Sequence, residues 1–219
     1  MEYIKICGLK QYEHVLLCIE YGADAVGFIY NVPESPRNLQ KTELKTLLKK
    51  INNKISTVIV LKPSSVLEVE KVINDINASH FQIHANFDVI ELEKLSKEHK
   101  KKVILALKVD QANKDSMLKL INNFNGQFFA FLIDNSEGRG KILDFELVKE
   151  ILKKNSETNL IVAGGISIEN IEEIIQVLKP YGIDISSSLE SREGIKDPYK
   201  IKYILTKINE LKKNMSDKK

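Results

Sequence analysis

Five side chains in this 219-residue chain could bind anions or move protons: Cys7, Arg37, His84, Asp134 and Asp184. They lie far apart in sequence, so only folding can gather them. Cys7 and Cys18 are the two cysteines, and no C-x-x-C spacing joins them, which argues against a disulfide scaffold or a zinc ribbon. Of the 33 basic residues only Arg37, Arg139 and Arg192 are arginine, while lysine serves as the ordinary surface cation. Arginine's planar fork grips carboxylates and phosphates bidentately, which lysine cannot do. A second anion-directed grouping is the pair Gly164-Gly165 together with Ser186, Ser187 and Ser188. Glycine lets backbone turn tightly and bring its N–H groups to a phosphate. Gln82 and His84 share one strand face by parity and read either as an interior pair or as part of a site. Asp184 shares a face with Ser186 and leaves the same two readings open. Asp110, Arg139 and Lys141 read as loop residues with no assigned role, and Cys18 as a buried small residue on a helix face.

The elements that must position these residues alternate regularly. Near-continuous apolar runs occur at Tyr3–Ile6, Ala25–Tyr30, Ser56–Leu61, Phe81–His84, Val103–Lys108, Phe128–Ile133, Leu160–Val162 and Ile183–Ser186. Such runs suit parallel strands covered on both faces. Segments of helical period lie between them, such as Leu44-Leu47-Leu48-Ile51 and Ile171-Ile174-Ile175-Leu178. Asp197-Pro198 reads as an N-cap with proline at the first helical position. Eight strand-then-helix units with short connections predict an α/β fold, a (β/α)8 TIM barrel. An open doubly wound sheet is the runner-up, but no G-x-G-x-x-G follows the first strand. In such barrels chemistry sits at the C-terminal strand ends. Cys7, Arg37, Gln82, His84, Asp134, Gly164-Gly165 and Ser186–Ser188 all fall there.

Composition narrows the classes. Hydrophobic residues make up 43% of the chain, enough for one well-cored domain, expected over 1–211, with 212–219 as a frayed tail. A net charge of +3 with dispersed lysines disfavours a nucleic-acid partner. Lys100-Lys101-Lys102 reads as a solvated helix end. No apolar run is long enough to span a bilayer, no signal peptide is expected, and the location expected is cytoplasmic.

Several segments together resemble phosphoribosylanthranilate isomerase of tryptophan biosynthesis. They are Lys5-Ile6-Cys7-Gly8, Gly22-Ala23-Asp24-Ala25-Val26-Gly27-Phe28, Ser35-Pro36-Arg37, Gln82-Ile83-His84 and Leu132-Ile133-Asp134. Further on come Gly138-Arg139-Gly140-Lys141, Ala163-Gly164-Gly165-Ile166, Gly182-Ile183-Asp184-Ile185-Ser186-Ser187 and Gly194-Ile195-Lys196-Asp197. The resemblance implies an Amadori rearrangement of N-(5'-phosphoribosyl)anthranilate, with no metal or organic cofactor. It makes Asp134 the general acid at the ribose ring oxygen and Cys7 the general base at C2. Arg37 would hold the anthranilate carboxylate, and Gly164, Gly165, Ser186, Ser187 and Ser188 the phosphate. His84 and Asp184 are further candidates for substrate contact. The partner implied is a small phosphosugar, with the protein a monomer or homodimer.

Those residue types suit that chemistry. A ring ether leaves only when its oxygen is protonated, which calls for a carboxylic acid. The resulting imine acidifies the neighbouring C–H, so a thiolate can remove the proton. Substrate anions oppose thiolate formation unless Lys5 or Arg37 offsets them. Three departures from the family pattern stand out: Ala85, Glu137 and Ser188, each where glycine is usual. Ser188 puts phosphate affinity in doubt, because glycine allows backbone conformations that serine resists. Two other readings remain, a different metal-independent phosphosugar barrel enzyme and a non-catalytic paralogue that binds a phosphometabolite.

Overall fold

The β-branched runs do form a closed ring. A computed structural model describes residues 1–134 and 144–216. Among these, the strands of the ring are β1 (Tyr3–Cys7), β2 (Ala25–Tyr30), β3 (Ser56–Leu61), β4 (His80–Ile83), β5 (Val103–Lys108), β6 (Ala130–Asp134), β7 (Leu160–Ala163) and β8 (Gly182–Ile185). Every neighbouring pair is parallel. β1 closes the ring by pairing with β2, Lys5 opposite Ala25, and with β8, Ile4 opposite Ile183. The helices outside are α1 (Tyr12–Glu20), α2 (Lys41–Ile51), α3 (Val66–Asp75), α4 (Lys97–Lys100), α5 (Lys114–Asn123), α6 (Phe145–Lys154), α7 (Ile171–Glu173) and α8 (Pro198–Ser216). The expected (β/α)8 barrel is the fold observed.

Strand parity divides the core in two. Tyr3, Ala25, Val58, Ile104, Leu132 and Ile161 point inward and fill the barrel floor as one cluster. Their neighbours Ile4, Val26, Ile59, Phe81, Leu105 and Val162 point outward and pack under the helices. Each such fully buried aliphatic contributes about 1.5–3 kcal/mol. The same parity carries Lys5, Cys7, Gln82 and Asp184 inward, where they are buried. Above the apolar floor, the barrel interior therefore turns polar.

Local chemistry sets the helix starts. The Asp197 Oδ1 accepts from Tyr199 N at 2.9 Å, as the Asp-Pro start of α8 predicts. The Ser65 hydroxyl accepts from Glu68 N, and the Asp144 carboxylate from Leu147 N. Extra caps also break a helix. Asp88 caps a 3-10 turn over Val89–Lys94, and Ser96 then caps the short α4, so the fourth crossover is two short pieces. The seventh is likewise irregular, because α7 runs into a π turn over Ile174–Leu178 that ends on Lys179 in the left-handed region. Even so, Ile171, Ile174, Ile175 and Leu178 are all buried, as their spacing predicts.

Some boundaries differ from expectation. β6 begins at Ala130 rather than Phe128, because the Phe128 ring stacks on Phe124 at 4.8 Å, outside the barrel. β4 starts at His80 and β8 ends at Ile185, so His84 and Ser186 sit just past their strands. Two small features were not foreseen. Asn38–Leu39 adds a two-residue strand beside β2, and Glu190–Arg192 pairs antiparallel with Ile195–Lys196 in a hairpin after β8. α8 continues to Ser216, into the segment expected to fray, with Met215 against the core. Among the described residues no helix is long and apolar enough to cross a membrane.

Candidate active site

The site is built on what β1 leaves at its end. Cys7 lies opposite Gly27 of β2 and shares its face with Lys5. A Cβ on Gly27 would fall 2.8 Å from Cys7 Sγ, 2.9 Å from Lys5 Cε and 3.1 Å from Lys5 Nζ. Glycine there gives both side chains their space. Lys5 Nζ donates to Asp184 Oδ2 at 2.7 Å, in an ion pair with Lys5 fully buried. The other oxygen, Asp184 Oδ1, is buried with no hydrogen-bond partner among the described residues. Burial pushes the Cys7 thiol up; the Lys5 ammonium pulls it down and Asp184 pushes it further up. Burial works hardest against the Lys5 charge, but Asp184 and Cys7 together outweigh it and keep Lys5 above its ordinary range.

Arg37 meets a carboxylate from its own chain. Its Nε donates to Glu190 Oε1 at 2.6 Å and its Nη2 to Glu190 Oε2 at 2.8 Å. The buried Lys196 donates to the same carboxylate at 2.9 Å, and also to Ser186 O at 2.9 Å. Gly194 N donates to Glu190 Oε2 at 3.0 Å. Burial raises the Glu190 carboxyl, yet its bonds from Arg37 and Lys196 win and hold it at about 2. This network ties the β8 hairpin to the loop after β2 and orients the guanidinium. Neither Glu190 nor Lys196 was singled out as a site residue, although Lys196 stood inside a quoted motif.

Beside that network lie the loops after β7 and β8. Gly164 and Gly165 both have positive φ, at 87° and 63°, which glycine adopts without strain. Asn170 pins this turn by donating to Gly165 O and accepting from Ser167 N. The Ser186 hydroxyl donates to Cys7 O at 3.2 Å, while Ser187 and Ser188 lie in a 3-10 turn. Ser188 has no positive φ, so the strain feared at that position does not arise. Its hydroxyl instead donates to Ile166 O at 2.6 Å and staples the two loops together.

Asp134 ends β6, in register with Lys108 of β5 and Ala163 of β7. His84 contacts Gln82 through Nε2 at 2.9 Å, and burial first, then Lys5, Lys108 and Lys62, holds its pKa at about 4. A neutral imidazole of that kind is a poor proton donor. His84 also borders a mostly apolar cavity of about 550 Å3, together with Ile29, Val60, Ala85, Ala106 and Met117. Val32 and Ser35, from the loop that carries Arg37, complete its rim.

Other candidates fall elsewhere. Cys18 is buried on α1, as expected. Asp110 caps its own loop, with Oδ1 accepting from Asn113 N at 2.8 Å. Glu137, Gly138, Arg139, Gly140 and Lys141 lie outside the described residues. Among the described residues, no three His, Cys, Asp or Glu side chains gather as a metal would require.

Comparison with known proteins now bears on this geometry. The family model for N-(5'phosphoribosyl)anthranilate (PRA) isomerase matches residues 4–207. The chain belongs to that family. A relative of that name from Sulfurihydrogenibium sp. is 32% identical over 91% of this chain and 95% of its own. The Thermotoga maritima phosphoribosyl anthranilate isomerase superposes with a TM-score of 0.79 at 26% identity, covering 95% of this chain and 98% of that one. A further phosphoribosyl anthranilate isomerase, in complex with reduced 1-(o-carboxyphenylamino)-1-deoxyribulose 5-phosphate, has a TM-score of 0.77 at 26% identity, covering 94% and 99%. The resemblance carried by the motifs is thus borne out along nearly the whole chain. As a member of the family the protein is an isomerase of tryptophan biosynthesis.

Proposed function

We propose that this chain, as a single cytoplasmic catalytic domain, converts N-(5'-phosphoribosyl)anthranilate to 1-(2-carboxyphenylamino)-1-deoxyribulose 5-phosphate, with Cys7 as base and Asp134 as acid. The observation that carries this reading is the gathering of both residues at one rim, Cys7 at the end of β1 and Asp134 at the end of β6, with the Gly164-Gly165 turn after the strand next to β6.

The Asp134 carboxyl gives its proton to the ribose ring oxygen as the bond from that oxygen to C1 breaks, and the lone pair of the anthranilate N–H closes onto C1 to leave a protonated imine. The Cys7 thiolate takes the proton from C2; the C–H pair becomes the C1–C2 double bond, and the imine π pair settles on nitrogen. The enolamine then tautomerises to the ketone. Positioning does much of the work, because the substrate is anionic at both ends. Backbone at Gly164, Gly165 and Ser186–Ser188 would hold the phosphate. Arg37 uses its Nε and Nη2 on Glu190, which leaves the Nη1–Nη2 edge of its five-donor fork for the substrate carboxylate. The apolar cavity beside His84 suits the aromatic ring, and the unpartnered Asp184 Oδ1 suits a ribose hydroxyl.

The experiment is growth rescue of tryptophan-requiring cells that lack this isomerase. The wild-type gene is expected to restore growth, and a stably expressed Cys7→Ala variant to fail. Failure of the wild type would remove the assigned substrate.

A further inference from the structure

The floor of the barrel is apolar, which makes the buried ion pair just above it, beside Cys7, conspicuous. Lys5 is fully buried and Asp184 nearly so, at 2.7 Å, one turn of side-chain parity below the strand end that carries the sulfur. Packing alone does not ask for such a pair, since apolar residues of similar volume in its place are often neutral or stabilising. Its location beside the sulfur is specific. Gly27 leaves a notch that Cys7 Sγ, Lys5 Cε and Lys5 Nζ all border within 3.1 Å of one point. An ammonium carries three donors, and only one of those on Lys5 is committed to Asp184 Oδ2.

We infer that Lys5 is a positioning residue that holds the negative charge of Cys7, and that Asp184 meters how much of the ammonium's charge reaches the sulfur. The inference rests on Cys7 as the base, the reading given above. The charged and titratable groups around Cys7 come from several elements. Tyr3 and Lys5 stand on β1, Asp184 on β8, Arg37 in the loop after β2, and Lys196 in the hairpin. β2 itself presents only Gly27. Arg37 and Lys196 share the one carboxylate of Glu190, which answers one of their two charges, and Lys196 also pulls the thiol down, though less than Lys5 does. Lys5 is the cation that borders the sulfur directly, and its fixed counter-ion is Asp184. When Cys7 ionises, its proton leaves for solvent and Lys5 gains a second anion. When the thiolate takes the C2 proton, that anion disappears and Lys5 returns to Asp184 alone. The opposed pulls of Lys5 and Asp184 on the thiol agree with this arrangement.

The test is a titration of thiolate absorbance near 240 nm without substrate, with the Cys7→Ala trace subtracted. Lys5→Met should raise the Cys7 midpoint by at least one unit, leaving tenfold less thiolate at a given pH, and should move the limb of kcat/KM that Cys7 controls by the same amount. Asp184→Asn should lower the midpoint. Opposite shifts support the inference; unmoved midpoints, or shifts in one direction, overturn it. If Lys5→Met does not fold, Asp184→Asn decides alone, a fall supporting the inference and no fall overturning it. The two readings fail separately. Wild-type activity in Cys7→Ala would sink the base assignment, whereas unmoved midpoints with an inactive Cys7→Ala would sink only the role given to Lys5.

Discussion

The two sides of the barrel mouth are made of different matter. The wall formed by β1, β8 and the loops around them is ionic: Lys5 with Asp184, and Arg37 and Lys196 sharing Glu190. The wall above β2 to β5 is apolar over most of its surface, with Ile29, Val60, Ala106 and Met117 bordering the cavity, a neutral His84 at its edge and Lys62 and Lys108 among its lining. The difference follows the two ends of the proposed substrate. Charge balance and proton transfer need fixed ions in a low-dielectric setting, while an aromatic ring needs apolar surface and few competing charges. Arg37 stands at the seam. It hangs on the ionic wall through Glu190, while its loop supplies Val32 and Ser35 to the rim of the apolar cavity.

The largest break in this picture short of the proposed base and acid should come at that seam. Arg37→Lys keeps a charge but loses the fork that holds Glu190 and, in the proposed function, the substrate carboxylate. It should cost about 2 kcal/mol or more in kcat/KM. Steady-state kinetics check this, and an unchanged kcat/KM would mean that the carboxylate is held elsewhere.

A smaller effect sharpens the comparison through pH. His84 titrates at about 4 when folded against an ordinary value of 6.5, so it stays neutral in the fold after it would charge in the unfolded chain. Stability contributed by the apolar wall is therefore present above about pH 6.5 and is lost as pH falls toward 4. Glu190, held at about 2 against 4.5, keeps its contribution down to about pH 4.5 and loses it as pH falls toward 2. Between pH 7 and 5 the apolar wall should weaken through His84 while Glu190 holds, with His80 and His14, both also lowered by burial, contributing alongside. His84→Gln should shrink the Tm difference between those two pH values, by roughly 2–4 °C if about 1 kcal/mol is involved. An equal Tm difference in both proteins would place the acid sensitivity elsewhere; His80, also at about 4, is the next candidate.

Much of this was legible in the sequence, for physical reasons. Parallel strands covered on both faces must be apolar nearly throughout, so their runs and ends could be read directly, and Cys7, Asp134 and Gly164-Gly165 fell at strand ends by type and position. Lys5 was only half legible. A lysine between Ile4 and Ile6 was named with Arg37 as a counter-charge, but its burial and its Asp184 partner depend on ring closure between β1 and β8, 179 residues apart. Glu190 was invisible because a glutamate in a loop looks solvated until Arg37, 153 residues earlier, folds onto it. The concern over Ser188 came from assuming a left-handed backbone, whereas a 3-10 turn accommodates serine there and uses its hydroxyl. The broken fourth crossover followed from two caps, Asp88 and Ser96, whose competition with one continuous helix is settled by packing rather than by local preference.

The division of labour between Cys7 and Asp134 is tested most directly by single turnovers in D2O that follow ring opening and loss of the C2 hydrogen in the same sample. Cys7→Ala is expected to open the ring and keep the hydrogen at C2, and Asp134→Asn to leave the ring closed. Ring opening by Asp134→Asn at the wild-type rate, or loss of the C2 hydrogen from Cys7→Ala at the wild-type rate, would contradict the assignment.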